Sequence, residues 1–196
     1  MDSAKILGIL AGLIQITAFI LYNKGTLKKQ NHPNASTWFL WAVLSTLNCV
    51  TYFIMSDDFF KSFISIVSST ACVATFFIAL KTGRFSKLGK LDYVIGVIGL
   101  CAIGVWWAYR SATFGNLILQ ICLIISFIPI YYGLIKNDGN EKPLPWFLWT
   151  IAYSVAMAVV FLRWQGQLQD LAYPFFGILG HGGVGFLSLR KPKKMS

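Results

Sequence analysis

The chain has 196 residues, of which 56% are hydrophobic, 16% aromatic and 12% charged, with a mean hydropathy of +0.64. An ordinary soluble domain carries about 25% charged residues, and half that charge cannot coat a soluble surface; the composition argues against a soluble enzyme, a disordered chain and a coiled coil. The formal charge is +10, from 17 Lys and Arg against 7 Asp and Glu. These basic residues fall in loops between apolar runs, which reads as a topology signal and not as a nucleic-acid surface.

Seven apolar spans can be marked in chain order: 5–22, 37–55, 59–80, 91–110, 113–135, 145–163 and 168–188. A membrane crossing takes about 20 apolar residues, so the length holds seven crossings with short loops. Helices are the natural choice, because a helix satisfies its own backbone hydrogen bonds in lipid. The strict alternation of a membrane barrel is absent. Residues 1–22 lack a cleavable signal pattern. Cys49, Cys72, Cys101 and Cys122 all lie inside apolar runs without CxxC spacing. They read as buried apolar side chains, so neither a disulfide nor a metal site is expected.

The loops set an orientation. Thirteen Lys and Arg fall on one side of the seven spans and four (Lys5, Lys61, Arg110, Arg163) on the other. The positive-inside rule then puts the C-terminus in the cytoplasm and the N-terminus outside. The compact loops and lack of eukaryotic sorting signals point to a bacterial inner membrane. On this topology the sequon at Asn34 faces the cytoplasm and reads as chance.

The sequence also repeats itself at an offset of 108 residues without a gap. Trp38-Phe39-Leu40-Trp41 falls on Trp146-Phe147-Leu148-Trp149. Ile16 falls on Ile124, Phe19 on Phe127, Ile20 on Ile128, Gly25 on Gly133, Lys28 on Lys136 and Phe53 on Phe161. Spans 1–3 therefore match spans 5–7, with span 4 between them. One intervening span leaves both triplets in the same orientation, a parallel repeat with its axis along the membrane normal. The expected units are 1–80, a first triple-helix bundle; 81–112, a linker helix; 113–188, a second bundle; and 189–196, a basic tail.

This 3+1+3 pattern, together with Ile125-Ser126-Phe127-Ile128-Pro129 on span 5, resembles the SWEET/PQ-loop superfamily of seven-helix transporters. The family's Pro-Gln signature is altered here. Span 5 has Ile130 after its proline, and span 1 has Leu21-Tyr22 at the matching positions. The resemblance implies movement of a small solute by alternating access. Plant and animal members carry sugars, and relatives of the PnuC type carry nucleoside-like vitamins. Sugar carriers have pocket asparagines on spans 3 and 7; span 3 here has none and span 7 offers His181.

Polar side chains inside a membrane are costly and mark function. Gln15, Asn48 and Tyr153 fall in one layer near the midplane at a rise of about 1.5 Å per residue. Tyr52 shares a face with Asn48, Gln120 lies on span 5 one turn from Asn116, and His181 lies deeper on span 7. These six are the expected substrate-binding residues. The plain alternative for each amide is a helix–helix hydrogen bond worth about 0.6 kcal/mol. For His181 it is a place in the glycine-rich run Gly177–Gly183, where helices approach closely.

Trp38, Trp41, Trp146 and Trp149 open spans 2 and 6. Anchoring at the membrane interface is the favoured reading, and an inner gate built from Trp41 and Trp149 is the alternative. Trp106 and Trp107 on span 4 are expected to face lipid. Pro129 and Pro174 are expected to interrupt spans 5 and 7, as hinges or as static bends. No Asp or Glu lies deep in a span, which favours facilitated diffusion of a neutral solute. No lysine in span 7 could hold a retinal, and no catalytic motif is present, so an enzyme and a cofactor are not expected. The rival to transport is a non-transporting receptor or adaptor on the same scaffold. The expected partners are a small-molecule substrate and membrane lipid, with self-association left open.

Overall fold

The computed structural model describes residues 2–31, 33, 35–82, 90–136 and 141–190. Asn34 of the sequon, Arg84, Lys87, Asp138 and the tail residues Lys191, Lys193 and Lys194 lie outside the described residues. Those described are all-helical: α1 (Ser3–Leu27), α2 (Ala35–Ser56), α3 (Phe59–Thr82), α4 (Lys90–Tyr109), α5 (Ala112–Ile125), α6 (Ile128–Lys136), α7 (Pro143–Leu162) and α8 (Ala172–Leu187). A 3-10 turn, Leu168–Leu171, leads into α8. α5 and α6 form one interrupted apolar segment, so the described residues make seven long helical segments.

Local chemistry sets the ends. The Asp2 carboxylate caps α1 by accepting from Ala4 N at 3.1 Å. The Asp58 carboxylate caps α3 by accepting from Phe60 N and Lys61 N at 2.9 and 3.1 Å. Pro143 opens α7 in the first turn, where the missing N–H has no helical partner. Pro129 cannot donate to the carbonyl four residues back, at Ile125, and the chain turns there between α5 and α6. Five segments are long and apolar enough to cross a membrane: α1, α2, α3, α5 with α6, and α7. α8 has 16 residues. At about 1.5 Å per residue, with about 2 Å for each residue of the turn before it, this segment reaches the roughly 30 Å of a bilayer core.

The helices are arranged inside out relative to a soluble bundle. The buried face of α1 carries Gly8, Ala11, Gly12, Gln15 and Ala18, while Ile9, Leu13, Ile16 and Ile20 are exposed. Small residues inside let backbones approach where lipid supplies no hydrophobic drive. A methyl group at Gly12 would collide with the Phe63 ring, so this glycine sets the α1–α3 spacing.

α3 packs against both α1 and α2, and α8 against both α5 and α7. α1 faces α7, and α2 faces α5. Under the 108-residue offset every one of these contacts has its counterpart. α4 packs on α5 and touches α2 lightly. Trp107 on α4 is exposed, as expected for a lipid-facing ring, but Trp106 is half-buried. The reason is Gly115 on α5, whose missing side chain admits the Trp106 Cβ.

Candidate functional site

A cavity of about 60 Å³ lies between the helices, lined by side chains from α1, α2, α3, α5, α7 and α8. Its lining contains no Asp, Glu, Lys or Arg. Of the expected residues it brings together Gln15, Asn48, Gln120, Tyr153, His181, Trp41 and Trp149. A cavity this size has room for a few waters and is well below the roughly 300 Å³ at which small-molecule pockets begin. As it stands, the space is too small for such a ligand unless its walls part.

Two polar networks line it. In the first, Gln15 Nε2 donates to Ser68 Oγ at 2.8 Å, Tyr173 OH donates to the same oxygen at 3.3 Å, and Tyr173 OH meets Tyr153 OH at 3.0 Å. In the second, Asn48 Oδ1 accepts from Asn116 Nδ2 at 3.0 Å and from Gln120 Nε2 at 2.6 Å. Gln120 Nε2 also donates to Asn116 Oδ1 at 3.0 Å, and Asn116 Nδ2 to Thr51 Oγ1 at 2.9 Å. The expected helix–helix role of these amides and their place on the cavity therefore coexist. Their bonds to one another leave Asn48 Nδ2 and Gln120 Oε1 buried without a partner, and Gln15 Oε1 likewise. Turning the Asn48, Asn116 and Gln120 amides over together gives the same count for that network, one donor and one acceptor to spare.

His181 Nδ1 lies 2.8 Å from Gly177 O. A carbonyl only accepts, so Nδ1 carries the proton and Nε2 of the neutral ring is an acceptor. The imidazole stacks on Tyr153 at 5.0 Å and touches Phe127, Trp146 and Trp149 at 5.0, 5.7 and 5.4 Å. The glycines around it are what let these rings in: a side chain at Gly177 would fall inside Tyr153, and one at Gly180 would meet Phe127 at 2.6 Å.

The end of the molecule where α2 and α7 begin is closed by rings. Trp38, Trp41, Trp146 and Trp149 are between 0 and 7% exposed. This overturns the anchoring expectation, since an anchor must face the lipid interface and these rings face one another. The offset of 108 carries one set of contacts onto the other. Trp38–Trp41 and Trp146–Trp149 stand at 5.0 and 4.9 Å, Phe19–Trp149 and Phe127–Trp41 at 5.0 and 5.3 Å, and Phe19–Trp38 and Phe127–Trp146 both at 6.3 Å. Trp38 and Trp41 line both the cavity and an outer hollow of about 240 Å³ that also touches Tyr22, Pro129 and Glu141. Glu141 accepts from Trp146 Nε1 at 3.1 Å, and burial raises its carboxyl to about 7.

The opposite end is closed by charge. Lys61 Nζ, at the start of α3, meets Asp170 Oδ2 in the turn before α8 at 2.7 Å, with both side chains essentially unexposed. Arg163, after α7, holds Asp58 before α3 and reaches Asp2 at 3.0 Å. Tyr52 does not line the cavity. It sits under this lock, its ring 5.2 Å from Tyr173 and its OH donating to Asp170 O at 2.8 Å. Pro174 supplies the physical reason: it stands four residues after Asp170 and has no N–H to give that carbonyl. The expectation that Pro174 interrupts a helix is corrected by its place in the first turn of α8, where Pro is tolerated. Pro129 does break its crossing, and it lines the outer hollow, not the cavity.

Sequence reading missed Ser68, Ser126, Tyr173, Lys61 and Asp170. One signal was available: Ser62, Ser65 and Ser68 recur every three residues on α3, the spacing of a single helical face. Comparison with family models, with curated proteins and with solved structures finds no match.

Proposed function

We propose that the chain is a SWEET-like facilitator that moves a small neutral solute, a sugar or a nucleoside-like vitamin, by alternating access. The observation that carries this reading is a small cavity with unpartnered hydrogen-bonding groups, shared between the two sequence repeats and flanked at either end by contacts between them. The repeated helix contacts support two bundles of three with α4 as linker. Lys61–Asp170 and Arg163–Asp58 join parts of the chain that the repeat assigns to different bundles, as do Phe19–Trp149 and Phe127–Trp41. Rocking one bundle against the other would open one end while the other stays shut. With the N-terminus outside, the charged lock faces outward and the tryptophan layer faces the cytoplasm.

The uncharged lining supports a neutral solute, because an ion would lose its hydration there without a counter-charge. Gln15, Asn48, Gln120 and His181 supply hydrogen bonds; Tyr153 and Trp149 supply ring surface. The test is counterflow of labelled D-glucose and labelled uridine in proteoliposomes. Transport predicts accumulation of one label against an unlabelled internal pool. Asn48→Ala, folded as judged by its melting curve, is expected to lower that rate by about tenfold, the equivalent of about 1.4 kcal/mol. Binding of a probe without counterflow would favour the receptor reading instead.

A further inference from the structure

One of the places where the repeat is broken is a hydrogen bond at the tryptophan layer. Trp41 Nε1 donates to Ser126 Oγ at 2.7 Å, and Ser126 Oγ in turn donates to Leu123 O at 2.6 Å. Its repeat mate, Trp149, has nothing to donate to: Nε1 is buried and without a partner, and the residue is 1% exposed. The cause is visible in the sequence. The residue 108 positions before Ser126 is Ala18, fully buried on α1 in the same cluster as Trp149. Each indole also meets the corresponding phenylalanine, at 5.0 and 5.3 Å, while Trp149 alone touches His181 and Tyr22. A buried donor left unpaired is destabilising, so a free N–H on a ring that lines the cavity has a use or a cost. Trp149 lines the cavity beside His181, whose Nε2 accepts, and Gln15, whose Oε1 is unpartnered.

We infer that Trp149 Nε1 is the donor that orients the solute, and that Ala18 keeps it free. The inference rests on the transport reading and names a specificity-determining residue of that site. The solute then carries a hydroxyl or carbonyl oxygen that takes up the indole N–H, a bond that a solute lacking such an oxygen cannot make. Trp41, its N–H already occupied, only closes the tryptophan layer. The two tryptophans of the repeat have divided gate and recognition between them through one oxygen atom.

The test is to restore the symmetry. Ala18→Ser places a hydroxyl where the other repeat has one. The expected result is a higher melting temperature in detergent together with at least a tenfold slower counterflow of whichever probe, D-glucose or uridine, the wild type carries. A raised melting temperature with unchanged counterflow would overturn the inference, since occupying the N–H would then cost the transport nothing. A folded variant that melts no higher would overturn it too. Trp149→Phe is the second variant, needed if the serine proves too large: it keeps a ring, lacks the N–H, and should show the same loss of counterflow. Wild-type counterflow of a probe that Trp149→Phe leaves intact would sink the inference alone. Failure of the wild type to carry either probe would instead sink the transport reading on which it stands.

Discussion

At one end of the molecule Lys61 and Asp170 meet at 2.7 Å, both inaccessible to solvent, while Arg163 holds Asp58 and Asp2. At the other, Tyr22, Trp38, Trp41, Trp146 and Trp149 touch ring to ring at 4.9–6.3 Å. Both ends join the first repeat to the second, but the physics of opening differs. Separating two buried charges leaves each without its counter-charge unless water enters at once. Separating rings loses dispersion contacts gradually, and ring surface is tolerated by lipid and water alike. The ionic end is therefore close to all-or-none and the aromatic end graded.

The largest effect is expected from breaking the lock on one side only. Lys61→Met leaves Asp170 buried and unpaired, which costs about 3–5 kcal/mol, seen as a large drop in melting temperature. Adding Asp170→Leu should restore most of it, because the residual penalty is the orphaned charge and not the lost attraction. A single variant that melts like the wild type would show that water already reaches the pair.

A smaller effect is expected at the aromatic end. Ser126→Ala strips Trp41 of its acceptor and makes it resemble Trp149, at a cost of about 1–3 kcal/mol for the buried N–H. Equal stability of variant and wild type would mean that the aromatic layer relaxes enough to wet the indole, and the proposed contrast between the ends would weaken.

A third effect, spread over several pH units, is a pH slope. Burial raises Glu141 to about 7, above its ordinary carboxyl range. The folded protein then holds a proton that the unfolded chain releases, so stability falls as pH rises from the ordinary carboxyl range through about 7 and levels off above it. Glu141→Gln should remove that part of the slope in melting curves taken between pH 5 and 8. A slope that persists in the variant assigns it elsewhere.

Seven apolar segments, their approximate limits and the 108-residue repeat were legible along the chain, because hydropathy and self-similarity are one-dimensional properties. So were the amides of the cavity, since a polar group in an apolar run stands out against its neighbours. The tryptophans were misread because an indole suits both an interface and a core; only packing distinguishes them. Tyr52 was misplaced for a related reason. It does share a helical face with Asn48, but one turn further along that face reaches the carbonyl that Pro174 leaves unpaired.

Lys61 and Asp170 lie 109 residues apart and looked like ordinary loop-end charges. Composition and periodicity are enough to commit this chain to apolar helices, because lipid allows the backbone only helices or closed barrels and the long unalternating apolar runs do not suit a barrel. Which charges meet, which indole keeps its proton donor free and how far the cavity closes depend on distances between helices. Those distances are set by small residues such as Gly12, Gly115, Gly177 and Gly180 on the contact faces, and they exist only once the helices have packed.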